Sequence, residues 1–358
     1  MTLSIRNFLN TDVEAVCRVW NAHYADQGYS SQIDPLRLEL CSLAKPYFDA
    51  HELLIAQVRD EIVGFAHVSG PIAAEQTQAV EAASAGMSVR AIAALCVVPR
   101  PDEAEVASAL LRRCDDLCTD RTSVNCMFKP MLPLVGHYLG LGPGDSMIGL
   151  SSAEHRVGQW LKDAGYAAQV PTSQWELDMT IYQPPVDRVQ VQVRRAAHVN
   201  RQVDEPQLPW WQACVLGHTE PTAFYLTDRA QRRVLQDILF WMIAPELQSE
   251  PESIAWLWPP HLEPPPQHLQ PNSSNHTRAT SFAPVGFGAS AAASNQPSPR
   301  DHLLFLLAES LRELQTENIE SVRTVTTADD NVMSSLLKRL GFRTRQSGVV
   351  FSKQLCAK

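Results

Sequence analysis

Apolar and polar positions along the chain change period repeatedly, from the two-residue spacing of strands to the three-to-four-residue spacing of helices. The clearest stretch runs from Arg90 to Leu117. Residues 91–98, AIAALCVV, form an unbroken small or apolar run with a β-branched end, the pattern of an interior strand. Pro99 and Pro101 stop that strand, because neither has an N–H to donate to a ladder. Asp102 then predicts a helix cap, with Glu105 at the capping-box position. Val106, Leu110, Cys114 and Leu117 follow on one helical face. A strand that feeds a helix N-terminus is where α/β proteins hold phosphate groups, through unpaired amides and the helix dipole.

The same reading extends to both sides. Ser4–Leu9 reads as a strand, and Thr11, with Glu14 three residues on, caps a helix whose inward stripe is Val13, Val16, Cys17 and Trp20. A second helix starts at Asp34 with Pro35 in its first turn. Glu52–Val58 and Ile62–Ser69 make a hairpin about Arg59-Asp60-Glu61. After the central helix come a strand at Ser123–Phe128 and a Gly- and Pro-rich loop over 129–151. A helix capped by Ser151 or Ser152 ends at Gly165, and a strand covers Gln169–Met179. The order is β-α-α-β-β-β-α-β-α-β.

Beyond a Pro-containing linker at Tyr182–Asp187 the order begins again. The expected elements are a strand at Val189–Arg194, a hairpin of Thr222–Thr227 with Val234–Ile243, the latter open to a helical reading as well, and a disordered Pro- and Ser-rich insertion over about 247–283. A strand at Pro284–Ala291, a helix at Pro299–Leu314 and a strand at Val322–Thr326 come next. A helix at Asp329–Leu340 stops at Gly341, and Val349–Lys353 is a terminal strand. Leu161-Lys162-Asp163-Ala164-Gly165-Tyr166 matches Leu337-Lys338-Arg339-Leu340-Gly341-Phe342 at the corresponding point of each half. A repeat of this kind predicts two domains, 1–181 and 182–358, each an α/β unit (α+β, mixed sheet).

Composition narrows the function. The 358 residues are 45% hydrophobic and 19% charged, enough for packed cores. A net charge of -9 argues against nucleic acid or an anionic membrane as the main partner. No apolar run reaches spanning length, and Arg6 and Asn7 interrupt the first ten residues, so a cytoplasmic location is expected. The eight cysteines are scattered without a CxxC, the pattern of reduced, mostly buried thiols. Cys114 and Cys118 lie four apart on one helix, but no His or Cys cluster follows at zinc spacing, so no metal is expected.

The duplicated order, the helix-Gly-aromatic endings and Leu95-x-Val97-x-Pro99 resemble the GCN5-related N-acetyltransferase superfamily, in a tandem arrangement like that of mycothiol synthase. The resemblance implies an acetyl-CoA substrate, an amine acceptor and direct attack of the amine on the thioester. It implies that pantetheine pairs with the free edge of the fourth strand, at Cys96, Val97 and Val98. It also implies that a Q/R-x-x-G-x-G/A turn holds the pyrophosphate. On that pattern Asp102 stands at the Arg position, Glu105 at the first Gly and Ala107 at the second small residue, with Arg100 as the neighbouring cation. In the second half Arg300 stands at the Arg position, beside His302, with Leu303 and Phe305 at the glycine positions. The family's general acid, a Tyr four residues before the helix-ending Gly, is replaced by Leu161 and Leu337. His67 and His23 are the candidate bases near the fourth strand. Trp210-Trp211 and Trp256-x-Trp258 fit core or cleft lining. Two functions follow: an N-acetyltransferase of tandem type, with Arg300 pointing to the second half, or a non-catalytic binding or scaffolding protein on the same fold.

Overall fold

The structure is a computed structural model that describes residues 2–25, 32–70, 88–119, 124–130, 136–141, 149–203, 208–243, 253–259 and 297–356. The first half contains β1 (Leu3–Asn7), α1 (Val13–Tyr24) and α2 (Pro35–Leu38), the last running into a π turn at Glu39–Leu43. It continues with β2 (Leu53–Val58), β3 (Glu61–Ser69), β4 (Ser88–Val97), α3 (Glu103–Cys118), β5 (Val124–Phe128), β6 (Leu150–Ser151), α4 (His155–Asp163) and β7 (Ala167–Asp178). The second half contains α5 (Arg188–Ala196), β8 (Ala197–Gln202), α6 (Trp210–Leu216), β9 (Thr219–Asp228), β10 (Val234–Ile243) and β11 (Ile254–Leu257). It ends with α7 (Pro299–Gln315), β12 (Ser321–Thr327), α8 (Asn331–Arg339) and β13 (Arg343–Leu355). Among the described residues no helix is long and apolar enough to cross a membrane.

A single sheet runs through both halves in the order β1-β2-β3-β4-β5-β13-β7-β12-β11-β10-β9-β8, with β6 beside β13. Its centre is an exchange of last strands. The chain's final strand, β13, pairs antiparallel with β5 of the first half, Phe351 opposite Phe128. The first half's last strand, β7, pairs antiparallel with β12 of the second half, Ser321 opposite Asp178. The exchanged strands pair with each other from Arg343↔Glu176 to Ser352↔Ala167. Each half-sheet is thus completed by the other half's chain.

Helices cover both faces. In the first half α3 and α4 close one face over Val106, Leu110, Leu111, Trp160 and Leu161. The helix α1 closes the other over Val16, Val19 and Trp20. Gly64 on β3 lets α3 approach the sheet, since a Cβ there would lie 3.1 Å from the Cys96 carbonyl and 3.3 Å from Val106 and Leu110. In the second half α7 buries Leu303, Leu304, Leu306, Leu307 and Leu311, each contributing roughly 1.5–3 kcal/mol. Gly165 (φ 85°) and Gly341 (φ 94°) end α4 and α8, the last helix of each half, in the left-handed region, as their sequence positions predict.

Several elements differ from the sequence reading. Val189–Arg194 lies in a helix, α5: Asp187 accepts a hydrogen bond from Gln190 N and starts it, and the half's first strand comes afterwards as β8. The Val-Gln alternation mimicked a strand, although Gln and Arg are good helix formers. The strand β11 falls inside the stretch read as an insertion, because its apolar run, Ile-Ala-Trp-Leu, is only four residues long. The strand expected at 284–291 lies outside the described residues. The helix expected from Ser151 or Ser152 begins at His155, and Ser151 pairs in β6. Thr11 does not cap α1. A 3-10 turn at Asn10–Asp12 precedes the helix, and the Asp12 carboxylate, held by Arg6, accepts from Leu9 N at 2.8 Å.

Candidate functional site

The parallel ladder between β4 and β5 runs from Ser88↔Val124 to Ile92↔Phe128, and Lys129 N donates to Ile92 O at 2.9 Å as the last rung. Beyond it residues 93–97 leave β5. The divergence coincides with a bulge: on β3, His67 faces Ala94 and Val68 faces Ile92, so Ala93 is the extra residue. The result is a V-shaped opening whose wall is the free edge of β4. Val98 N turns the other way, to Val63 O on β3, which leaves the Val97 amide and carbonyl facing the opening.

That edge is already occupied. The His23 ring, from the last turn of α1, places Nδ1 3.0 Å from Val97 O and 3.3 Å from Val97 N. Arg156 on α4 donates to His23 O at 3.2 Å and to Glu103 at 2.8 Å. Deeper in the V, Lys129 Nζ donates to Tyr24 Oη at 3.3 Å and lies 3.8 Å from Glu154 Oε1. Both side chains of that ion pair are almost wholly buried. Burial pushes the Glu154 carboxyl up despite Lys129, and Ser151 N donates to it at 3.2 Å. Burial likewise pushes the Cys96 thiol far above the ordinary range. Cys96 packs among the residues under α1. His23 is held neutral, at about 4, first by burial.

At the strand-to-helix turn Arg100 binds the Asp102 carboxylate through two N–H groups, and this hydrogen bonding is the main reason that carboxyl is lowered. Asp102 therefore does not cap α3 with its side chain, contrary to the capping-box pattern. Ala107 is buried under the sheet. Asp102, Glu103 and Glu105 surround the amides of the first turn, with Arg100 and Arg156 already paired to two of them.

The second half has the same parts with different chemistry. The parallel pairing of β11 and β12 runs from Ile254↔Ser321 to Trp256↔Arg323, after which Thr324 Oγ1 donates to Leu257 O at 3.0 Å. A capping box starts α7: Ser298 Oγ accepts from Asp301 N, and Asp301 Oδ2 accepts from Ser298 N at 2.9 Å. Leu303 and Phe305 turn into the core. Arg300 is exposed and donates to Ser335 Oγ on α8 at 2.9 Å. His302 is half-buried and lowered, first by burial, against Asp301 and Asp228. Trp256 and Trp258 are buried with Trp241, and Trp210 is 66% exposed. Leu161 and Leu337 are both fully buried.

A third cluster joins the halves and left no spacing signal in the sequence. His67, fully buried, places Nδ1 2.9 Å from Tyr138 Oη, and its ring lies 4.3 Å from that of His137. Burial pushes His67 down to about 3 and His137 well below its ordinary value. Beside them Lys45 Nζ donates to Cys214 O at 3.0 Å and Val215 O at 2.9 Å, at the end of α6, and lies 2.8 Å from His218 Nδ1. His218 Nε2 lies 2.9 Å from Leu139 O. Burial lowers Lys45 to about 8 and His218 to about 4. Among the described residues no three His, Cys, Asp or Glu side chains converge as metal ligands.

No family model matches the sequence, and no curated relative does either. Solved structures do match the fold. A tandem GNAT protein of the clavulanic acid biosynthesis pathway aligns over 100% of both chains with a TM-score of 0.58 and 12% identity. A GCN5-related N-acetyltransferase from Sphaerobacter thermophilus aligns over 99% of this chain and 96% of its own, with a TM-score of 0.55 and 10% identity. A GCN5-related glucosamine N-acetyltransferase region of a fungal multi-domain β-N-acetylglucosaminidase aligns over 98% of this chain and 38% of that one, with a TM-score of 0.60 and 10% identity. The fourth strand that parts from the fifth in each half, bulged in the first, and the full-length matches agree: this chain has the tandem GCN5-related N-acetyltransferase fold.

Proposed function

We propose that the protein is an acyl-CoA-dependent N-acyltransferase whose second half receives the acyl-CoA and whose first half supports it. The observation that carries this reading is the contrast in cations. Arg100 and Arg156 are bound to carboxylates at the first half's turn, whereas Arg300 donates, among the described residues, to a neutral hydroxyl at an exposed helix start. A guanidinium in that state can take a phosphate with charge-assisted hydrogen bonds, and His302 lies beside it. In the first half, three carboxylates oppose a pyrophosphate, and His23 holds the Val97 backbone that pantetheine would need.

The acceptor is a small-molecule or peptide amine. Its nitrogen attacks the thioester carbonyl, the tetrahedral adduct gives its extra nitrogen proton to water and collapses, and CoA leaves as a thiolate. With leucine at positions 161 and 337, water protonates that thiolate. His23 and His67 act as supports in this reading, because both are held neutral far below neutral pH by burial and bonded to the protein. The amine then enters as its free base. The rate rises with pH through the acceptor's own pKa, and an inflection near 6.5 instead would restore a histidine base.

A second reading is a non-catalytic protein on the same fold. It is favoured by the strand edges, since His23 in the first half and Thr324 in the second bond the positions that pantetheine would use. Calorimetric titration with CoA and acetyl-CoA separates the two readings. Binding that Arg300→Glu weakens supports the transferase, and no heat at millimolar ligand leaves the non-catalytic protein.

A further inference from the structure

The thiols that the proposed site does not use are not evenly spread. Cys118, at the end of α3, and Cys126, in β5, place their sulfurs 3.5 Å apart, in van der Waals contact. Both are buried in the same apolar cluster, with Cys114 one turn earlier on α3. Neither is disulfide-bonded. A disulfide requires about 2.05 Å between sulfurs, so a shift of about 1.5 Å would close it.

The surroundings make the two sulfurs unequal. Tyr166 Oη lies 2.7 Å from Asp115 Oδ1 and 3.3 Å from Cys126 Sγ. Its one proton goes to the carboxylate, the shorter and charge-assisted contact. The Cys126 S–H is then free to point at Cys118 Sγ. Arg90 on β4 also acts on Cys118: one of its Nη groups binds Glu52, and its buried Nε has no nitrogen or oxygen partner. Donation from Cys126 and the positive charge of Arg90 both lower the Cys118 thiol, while Cys126 is raised. This is the arrangement of an attacking and a resolving thiol.

We propose that Cys118 and Cys126 form an oxidisable dithiol that hydrogen peroxide converts to an intramolecular disulfide. The Cys118 thiolate attacks one peroxide oxygen, the O–O bond breaks, and Cys118 becomes a sulfenic acid as hydroxide leaves and is protonated to water. The Cys126 sulfur then attacks the sulfenic sulfur, the S–O bond breaks, and a second water departs. Two thiols lose two electrons and two protons, and one peroxide is reduced to two waters. The bond ties the end of α3 to β5, the strand that receives β13 from the second half.

The test treats the full-length protein with hydrogen peroxide, alkylates the remaining thiols under denaturing conditions and maps the peptides by mass spectrometry. A linked Cys118–Cys126 peptide that disappears with dithiothreitol is expected. Cys114→Ser leaves it unchanged. Cys126→Ser stops at a sulfenic acid on Cys118 that dimedone traps. Arg90→Leu slows oxidation several-fold, because the attacking thiol loses the positive charge that helps to lower it. A serine in place of either cysteine is close in size, and circular dichroism of each variant before oxidation shows that it has folded. Alkylation of Cys118 and Cys126 at undiminished yield after peroxide overturns the proposal, as does a disulfide that maps to Cys114 or to the exposed Cys356.

Discussion

The two halves share one topology and part company at the start of the helix that follows the fourth strand. In the first half the turn amides face Asp102, Glu103 and Glu105, and the neighbouring arginines are bound by two of these carboxylates. In the second half one capping box, Ser298 with Asp301, satisfies the helix start and leaves Arg300 on the surface. The parting of the fourth and fifth strands differs as well: a buried Lys129–Glu154 pair and the His23 ring occupy the first, while Thr324 bonds Leu257 O in the second. A fold can keep the geometry of a ligand groove while its side chains take over the groove's bonds, so topology and capacity to bind have to be read separately.

The largest expected effect tests whether these halves are separable at all. Expressed as 1–181 and 182–358, each fragment loses the strand that completes its sheet, β13 from the first and β7 from the second. Neither should fold alone, because each exposes an unpaired edge in mid-sheet. Mixed, they should recover native circular dichroism and co-elute. A fragment that melts cooperatively as a monomer breaks this expectation.

Next comes pH, which should act mainly on the first half and the junction. His23, His67, His137 and His218 all have folded-state values below the ordinary 6.5, through burial. Below 6.5 the unfolded chain binds protons that the native state refuses. Stability is therefore full above 6.5 and falls as pH drops towards about 4. The slope is up to about 1.4 kcal/mol per pH unit for each histidine. Urea melts from pH 7 to 5 measure it, and His218→Asn should flatten the slope. A flat profile would mean that these rings are hydrated.

Third, Lys129→Met leaves Glu154 buried without its cation and should cost about 3–5 kcal/mol. The double variant Lys129→Met with Glu154→Leu should recover most of that loss. If the single variant melts like the parent, the first half's opening is wetter than its burial indicates.

A smaller effect concerns the turns. Arg300→Glu should weaken CoA binding about tenfold or more, or about 1.4 kcal/mol, while Asp102→Ala leaves it unchanged; the reverse pattern moves the site to the first half. The smallest is in stability: Ser298→Ala should cost about 1 kcal/mol by uncapping α7, read as a lower melting temperature. Asp102→Ala should shift that temperature less, because the Asp102 side chain bonds Arg100 and caps no helix amide.

Much of the fold was legible where local chemistry decided it. The apolar run at 91–98, the prolines after it, Ser298 before Pro299, and Gly165 and Gly341 all sit where the periodicity and the caps place them. The misreadings have local causes too. The Val-Gln alternation of α5 imitated a strand, and β11 was too short to stand out among its prolines. At the site, the acidity of the Asp102 turn could be read directly. The placement of His23 could not, because it depends on where α1 ends relative to a strand that begins more than sixty residues later.

Local spacing encodes the helix-ending glycines, the Ser298 cap and the charge at each helix start, since these depend on residues within a turn or two of one another. Which strand completes which half-sheet, the bond of His23 to Val97, the reach of Lys45 to the end of α6 and the meeting of Cys118 with Cys126 emerge only on folding. Pairings between distant segments are set by how the whole chain excludes water and satisfies its buried polar groups, and no local spacing encodes them.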